Sequence, residues 1–430
     1  MTSKERAYVY IQLPGTLEVW TAGYYELENR SGVPTGIFVY NPKYIEHPQA
    51  VSLEPFELPL RKARFETTRL NGIFGCLRDA SPDSWGRRLI ERHLGRSDLT
   101  EIDYLLHSPE DRAGALSFGR GKEPPSAQTR FNRVVSLPAL LAYADAVAED
   151  RAPSEGLSVE LATQIAELVQ PDSALGGARP KNAVEDDESL WIAKFPERND
   201  RWNFARAEAA TLALARLCGI HTPDTQVLEI AGRSVVLIRR FDRIKTEGGY
   251  FRPRMVSALT ILGAGDTIND RARWSYPLLA DELRRRSHRP NADLVELYRR
   301  MVFNALISNS DDHPRNHALI APGRDWELSP AYDLMPNPQT SLEKRDLAMA
   351  IGRFNRYANR ENLLSESAQF RLSREAAAAI IDKMHGIVRA EWHAVMRSHG
   401  VTDTDCQRLA GAFVYPGFDL DPQTVLASLA

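Results

Sequence analysis

Apolar and polar positions alternate through AYVYIQLPG (residues 7–15), which predicts a strand ending in a Pro-Gly turn. The period lengthens in DASPDSWGRRLIERHLG (79–95). Trp85, Leu89 and Leu94 there predict one buried helix face, with Ser81 as cap, Pro82 in the first turn and Gly95 at the exit. GRGKEPPSAQTR (119–130) has no such period and reads as a linker. Two helical patterns follow, LPALLAYADAVAED and LSVELATQIAELVQ. A glycine turn, SALGGARPKNAV, then feeds the strand-like SLWIAKFP. FARAEAATLALARLCG (204–219) predicts a helix stopped by glycine, and SVVLIRRFDR (234–243) a strand.

Beyond residue 255 the period is mainly helical. In NADLVELYRRMVFNALISN, Leu294, Leu297, Tyr298, Met301, Val302, Ala305 and Leu306 recur every three or four residues, with Asn291 placed to cap. HALIAPGRDWELSPAYDL reads as a hairpin turning at Pro322-Gly323, and an alanine-rich helix runs from Ser373 to Ser398. The expected fold is an α+β N-terminal region followed by a mainly α-helical C-terminal lobe. Its expected parts are 1–125, a mixed α/β part over 126–254, and a helical part over 255–430.

Totals change this picture little. A chain of 430 residues suits two or three domains. A net charge of −3 gives no global basic field for nucleic acid. LRRRSHRP (283–290) is locally basic, and such runs are usually solvated faces. Cys76, Cys218 and Cys406 are scattered, odd in number and without zinc spacing, which suits a reducing compartment. The N-terminus lacks an apolar leader pattern and no run reaches membrane-spanning length, so the expectation is a cytoplasmic protein without membrane contact.

The candidate chemistry sits in ISNSDDHPRNHALI (307–320), where a buried helix pattern runs into a polar cluster. Asp311 and Asn316 have the D-x-x-x-x-N spacing of the protein-kinase catalytic loop. Phosphoryl transfer needs a carboxylate to accept the proton of the attacking hydroxyl. It also needs an amide oxygen to reach a magnesium ion on the phosphates. The hairpin returns the chain to Asp333, a second anionic oxygen donor, and Mg²⁺ takes few protein oxygens plus phosphate. Two other readings fit the same residues. Asp311 and Asp312 also suit the capping of a helix end. His313 and His317 are four apart, as metal ligands on a helix would be, but Pro314 between them argues against that helix.

Upstream, backbone N–H groups of Gly176, Gly177 and Ala178 in LGGARPKN suit phosphate oxygens, although a plain turn also explains two glycines and no Walker A pattern is present. Lys194 lies in the apolar WIAKFP of a chain where arginine far outnumbers lysine. A buried-strand lysine needs an anion. ATP phosphates or Glu208 on the following helix would serve, and snorkelling from an edge strand is the bland alternative. IRRFDR (238–243) suits either an adenine hinge with Phe241 against the base, or a core phenylalanine flanked by surface arginines.

Taken together, these stretches resemble the HipA family of toxin–antitoxin serine/threonine kinases. FVYNPKYIEHPQAVSLEPFELPL and GIFGCLRDASPDSWGRRLI are similar to its N-terminal subdomain. GGARPK, WIAKFP, LIRRFDR, NSDDHPRNHALI and LSPAYDLM follow its nucleotide and catalytic motifs in order. The resemblance implies a bilobal, protein-kinase-like fold, with ATP and Mg²⁺ as cofactors. It implies Asp311 as catalytic base, Asn316 and Asp333 on Mg²⁺, and Lys194 on the ATP phosphates. Gly176, Gly177, Ala178, Arg179, Pro180 and Lys181 would form the loop over them. Arg239, Arg240 and Phe241 would form the adenine hinge. His313 and Arg315 would line the phosphate region, and Tyr332 would lie beside the metal. The resemblance further implies a serine acceptor on a protein substrate, notably an aminoacyl-tRNA synthetase, with dormancy as the outcome. A HipB-like helix-turn-helix antitoxin is the implied partner, and DNA is met only through it.

The family's regulatory loop serine falls here on Ala174, with Ser173 adjacent as a candidate autophosphorylation site. Arg239 stands where some relatives carry an acidic residue. Two functions of other classes share the frame: an antitoxin-bound co-repressor with weak kinase activity, and a small-molecule kinase.

Overall fold

The computed structural model describes residues 5–108, 111–125, 132–133, 136–149, 179–339 and 341–429. The LSVELATQIAELVQ pattern, Ser173, and Gly176 to Ala178 lie outside them. Among the described residues no helix is long and apolar enough to cross a membrane. The chain divides into two compact units. One comprises Met1–Glu197, Glu229–Val256 and Ile320–Arg324, and the other Arg198–Leu228, Ser257–Leu319 and Asp325–Ala430.

The first unit contains a five-stranded antiparallel sheet in the order β4-β3-β2-β1-β5. Its strands are β1 (Glu5–Gln12), β2 (Val19–Arg30), β3 (Val33–Tyr40), β4 (Arg64–Thr67) and β5 (Leu116–Gly119). Alternation in β1 and β3 sends Tyr10, Phe38 and Tyr40 inward, and Phe38 meets Tyr40 edge-on with centroids 4.8 Å apart. Helix α1 (Ser84–Leu94) is capped by Asp83, whose carboxylate accepts from Gly86 N at 2.7 Å, and not by Ser81. Ser81 is already used: its N–H closes the preceding turn on Arg78 O. Gly95 ends the helix at φ +63°, a left-handed conformation that glycine adopts without a Cβ penalty. Trp85 and Leu89 are buried as expected, while Leu94, at the fraying exit, is half-buried. Helix α2 (Glu101–His107) opens on a capping box between Thr100 and Asp103.

Most of a second sheet of this unit follows α3 (Leu137–Ala148). β7 (Lys181–Glu185) pairs antiparallel with β8 (Leu190–Lys194), and β9 (Arg233–Arg239) pairs antiparallel with β8. β6 (Asn132–Arg133) joins β7 in parallel.

The other unit is helical. Its α4 (Phe204–Leu217) is capped by Asn203 and packs against α7 (Arg374–Ser398), which Ser373 caps on Ala376 N at 3.1 Å. That packing bears on where residues 198–228 belong. The apolar face of α4 is covered by α7, so residues 198–228 group with the helical unit. α5 (Tyr276–Arg286) and α6 (Pro290–Leu306) pack on each other, and every apolar position anticipated in α6 is buried. The start of α6 lies two residues ahead of expectation, with Arg289 and not Asn291 at the cap position. Pro290 occupies its first position, where a missing N–H costs nothing, and Asn291 accepts from Arg371 Nη1 at 2.6 Å instead of capping.

Candidate active site

In the helical unit, α6 ends at Leu306 and Ser308 turns left-handed at φ +52°. That turn is nailed from outside: Ser308 Oγ donates to Ala412 O at 2.8 Å and accepts from Arg345 Nη1 at 2.7 Å. Two adjacent aspartates then take opposite fates. Asp311 is exposed, and Asp312 is buried. A single 3₁₀ turn, Pro314–Asn316, follows, with His313 Nδ1 accepting from Arg315 N at 3.1 Å. Pro314 is tolerated because the first turn has no N–H to lose.

Asn316 Nδ2 donates to Asp311 O at 3.1 Å. This ties one end of the D-x-x-x-x-N loop to the other. It also turns the amide so that Oδ1 points away from Asp311 O. The return strand closes with Ser329 N on Ala318 O at 2.9 Å, and Tyr332 OH donates to Arg315 O at 2.7 Å. Asp333 follows in the left-handed region at φ +54°. Aspartate visits that region more readily than most side chains, but still at a cost, and such residues concentrate at functional sites.

The charges in this loop act on one another. The Asp311 carboxyl is pushed above its ordinary range, first by burial on its protein side and then by the negative charges of Asp333 and Asp312. Like charges held together favour a cation. The oxygens of Asn316 and Asp333 are the hard donors Mg²⁺ prefers, and a site completed by phosphate needs few from protein. Among the described residues no group of three or more His, Cys, Asp or Glu forms a metal site. An amide plus one carboxylate is a smaller donor set than that. The paired-histidine alternative does not stand. His317 is buried against Asp312, whereas His313 lies on Trp274 with ring centroids 4.1 Å apart.

Two residues expected at the phosphates are held by groups the sequence did not single out. Arg315 grips Asp266 with two nitrogens, Nε lying 3.0 Å from Oδ1. His313 Nε2 is 3.9 Å from the same carboxylate. Tyr276 and Asn304 also escaped notice. They carry no motif spacing, and only the tertiary fold gathers them. Glu208 is fully buried in the middle of α4.

In the sheet-containing unit, Lys194 ends β8 and is half-buried, with Val236 and Lys181 opposite it on the two neighbouring strands. Directly opposed residues share a face, and like charges there repel. Asp83 resolves this: Lys181 Nζ lies 2.9 Å from its Oδ2, with the side chains 3% and 6% exposed. Lys181, expected at the end of the phosphate loop, opens β7. Its ammonium is built into a buried pair. Pro180 is buried, and its carbonyl accepts from Phe195 N at 2.9 Å; Arg179 Nη1 reaches Phe195 O at 3.4 Å.

Arg240, expected in the hinge, has its side chain held in a similar way. Its N–H extends the sheet to Leu190 O, and its guanidinium is buried on Asp242 and on the carbonyls of Asp111 and Arg112. Asp242 sits between Arg240 and Arg243, whose positive charges hold its carboxyl well below the ordinary range despite full burial. Arg239 is exposed and Phe241 half-buried.

Comparisons with known proteins agree with these motifs. Residues 17–119 match the HipA N-terminal domain, and residues 173–392 match the HipA-like C-terminal domain. The putative kinase Y4mE of Sinorhizobium fredii is 24% identical over 332 residues, spanning 74% of this chain and 76% of that protein. Its companion Y4dM is 26% identical over 240 residues, 51% of this chain and 57% of that one. A putative kinase of Haemophilus influenzae is 27% identical over 30% of this chain and 40% of its own. Among solved structures, HipA of Shewanella oneidensis, determined with HipB and operator DNA, superposes with a TM-score of 0.66 at 17% identity, covering 94% of both chains. The α+β N-terminal region and helical C-terminal region thus form a HipA-like, kinase-like fold. With one domain model on each side of the linker and the second spanning half the sequence, this chain belongs to the HipA family.

Proposed function

We propose that the protein is an ATP- and Mg²⁺-dependent serine/threonine protein kinase that acts as the toxin of a HipBA-type system. The observation that carries this reading is the loop itself: Asp311 with a raised carboxyl, charged by Asp333 and tied through its carbonyl to the amide of Asn316. Asp311 accepts the proton of the acceptor hydroxyl, and a carboxyl raised from its ordinary range is a stronger base for that task. Asn316 and Asp333 present oxygens to the metal, and Lys194 presents its ammonium to the ATP phosphates. When bound, Mg²⁺ neutralises charge on the transferring phosphoryl group. The chain's own contribution is positioning.

Relatives named putative kinases support the transferase reading, and the Shewanella complex supports a HipB-like partner that brings DNA indirectly. The acceptor we propose is a serine on a translation-related protein such as an aminoacyl-tRNA synthetase, met in the cytoplasm. Incubation of the purified chain with lysate and γ-labelled Mg·ATP tests this. Wild type labels a discrete protein band on serine, and Asp311→Asn labels none. Labelling by the Asp311→Asn protein removes the base assignment. Label transferred solely to small hydroxyl compounds removes the protein-kinase reading. Mass spectrometry of the same sample reads Ser173, which we propose as the autophosphorylation site in place of Ala174. Phosphate on neither Ser173 nor its neighbours removes that part.

A further inference from the structure

Directly beneath the candidate loop lies a buried polar cluster that no part of the proposed chemistry uses. His317 Nε2 is 2.8 Å from Asp312 Oδ1. Opposite a carboxylate, that nitrogen must carry the ring proton. The other Asp312 oxygen accepts from Tyr276 OH, which in turn accepts from Asn304 Nδ2 at 3.0 Å. Asn304 Oδ1 accepts from Asn309 Nδ2 at 3.1 Å, and the two residues also share a backbone bond, Asn309 N to Asn304 O at 2.9 Å. All five residues are buried. Tyr276 belongs to the first turn of α5 and Asn304 to the last turns of α6, so the cluster joins the loop to two packed helices.

Its place along the chain is informative. Asp312 follows Asp311, and His317 follows Asn316. Each buried partner therefore sits one residue beyond a functional one. Near extended backbone, neighbouring side chains point to opposite sides, so fixing the inner residue aims the outer one. His317 has that backbone, at φ −127° and ψ 141°. Burying this many polar groups costs stability unless every partner is placed, and an apolar cluster would fill the same space more cheaply. Retaining it at this spot suits a demand for exact aim.

We propose that Asp312 and His317 are positioning residues. Their buried hydrogen bond staples the 311–316 loop shut from beneath, and through it sets the separation and direction of Asp311 and Asn316. Tyr276 and Asn304 hold the staple in register with the helices. This inference rests on the kinase reading above, and it concerns turnover and metal use, not nucleotide capture.

The experiment compares His317→Leu, which keeps volume and removes the donor, with His317→Gln, whose amide N–H reaches toward the same carboxylate oxygen. Turnover, KM for ATP, half-saturating Mg²⁺ and melting temperature are measured on the full chain. We expect His317→Leu to lower kcat by about 10²-fold, the scale of a misplacement near 1 Å. It should raise the Mg²⁺ requirement and leave KM for ATP within about twofold of wild type, since positioning changes act on the transition state. His317→Gln should recover most of kcat and the Mg²⁺ requirement. Wild-type kcat and Mg²⁺ requirement in His317→Leu overturn the staple. So does equal impairment of the Leu and Gln variants in step with lost melting temperature, the signature of a purely structural role. Should His317→Leu fail to fold, Tyr276→Phe removes one hydroxyl without changing the ring, and is read by the same criteria with a smaller kcat loss. A wild-type chain without turnover ends the kinase reading itself, before any variant is compared, and the staple falls with it.

Discussion

Lys181 and Asp311 carry charge in their respective units, yet the fold treats them oppositely. Lys181 is buried against Asp83, and the pair closes within the protein. Asp242 is likewise enclosed by Arg240 and Arg243. Asp311 is exposed, and the charges that reach it, from Asp333 and Asp312, have its own sign. A buried charge without a partner costs several kcal/mol, so the sheet-containing unit matches its own. In the loop the protein concentrates negative charge, which under the proposed function a metal ion and a phosphoryl donor would balance. The difference separates charge that builds the fold from charge set up to meet a ligand.

The largest test of that contrast is Asp311→Asn. Turnover should fall by about 10²–10⁴-fold, the usual share of a general base. Chemical denaturation should show the fold intact. Full turnover would place Asp311 among structural charges. Next in size is Asp83→Ala, which strands the Lys181 ammonium and should cost about 3–5 kcal/mol of stability in a denaturant titration. Adding Lys181→Met should return much of that loss, because the stranded charge is then gone. A single variant as stable as wild type would dissolve the contrast from the other side. Asn316→Ala should raise half-saturating Mg²⁺ by at least about tenfold, the range that even outer-shell changes reach.

The smallest effects concern pH. The Asp311 carboxyl is raised in the folded protein, so the acid limb of kcat/KM should lie above the ordinary aspartate value of about 3.9. Turnover is lost as pH falls through that raised value. A raised carboxyl binds its proton more tightly in the folded chain, so the ionised form weighs against folding at neutral pH. Asp311→Asn should therefore melt slightly higher than wild type at pH 7. The gain should shrink as pH drops and the wild-type carboxyl takes up its proton. An unchanged or lower melting temperature at pH 7 would mean that no like-charge strain is stored there.

Much of the frame is legible in the residue pattern. The helices at 204–217, 290–306 and 374–398 follow from strong period and caps such as Ser373, and the strands at 5–12 and 190–194 from alternation. Local errors arise where two residues compete for one role. Asp83 takes the cap from Ser81, and Pro290 starts a helix ahead of Asn291. The D-x-x-x-x-N spacing also marks Asp311 and Asn316, because a loop of that length depends on near neighbours.

Partners distant along the chain are a different matter. Asp83 lies 98 residues from Lys181, and Tyr276 lies 36 from Asp312. No period or spacing links such pairs, and their meeting is decided by strand register and helix packing. In DDH, the doublet 311–312 offers two equivalent carboxylates. Periodicity and caps by themselves determined the helical frame, and the ordered motifs carried the resemblance to the family and marked the loop proposed to hold the chemistry. Only tertiary structure decided which aspartate faces solvent, and that Lys181 and Arg240 are sealed in ion pairs, because burial and charge pairing are properties of the space around a side chain.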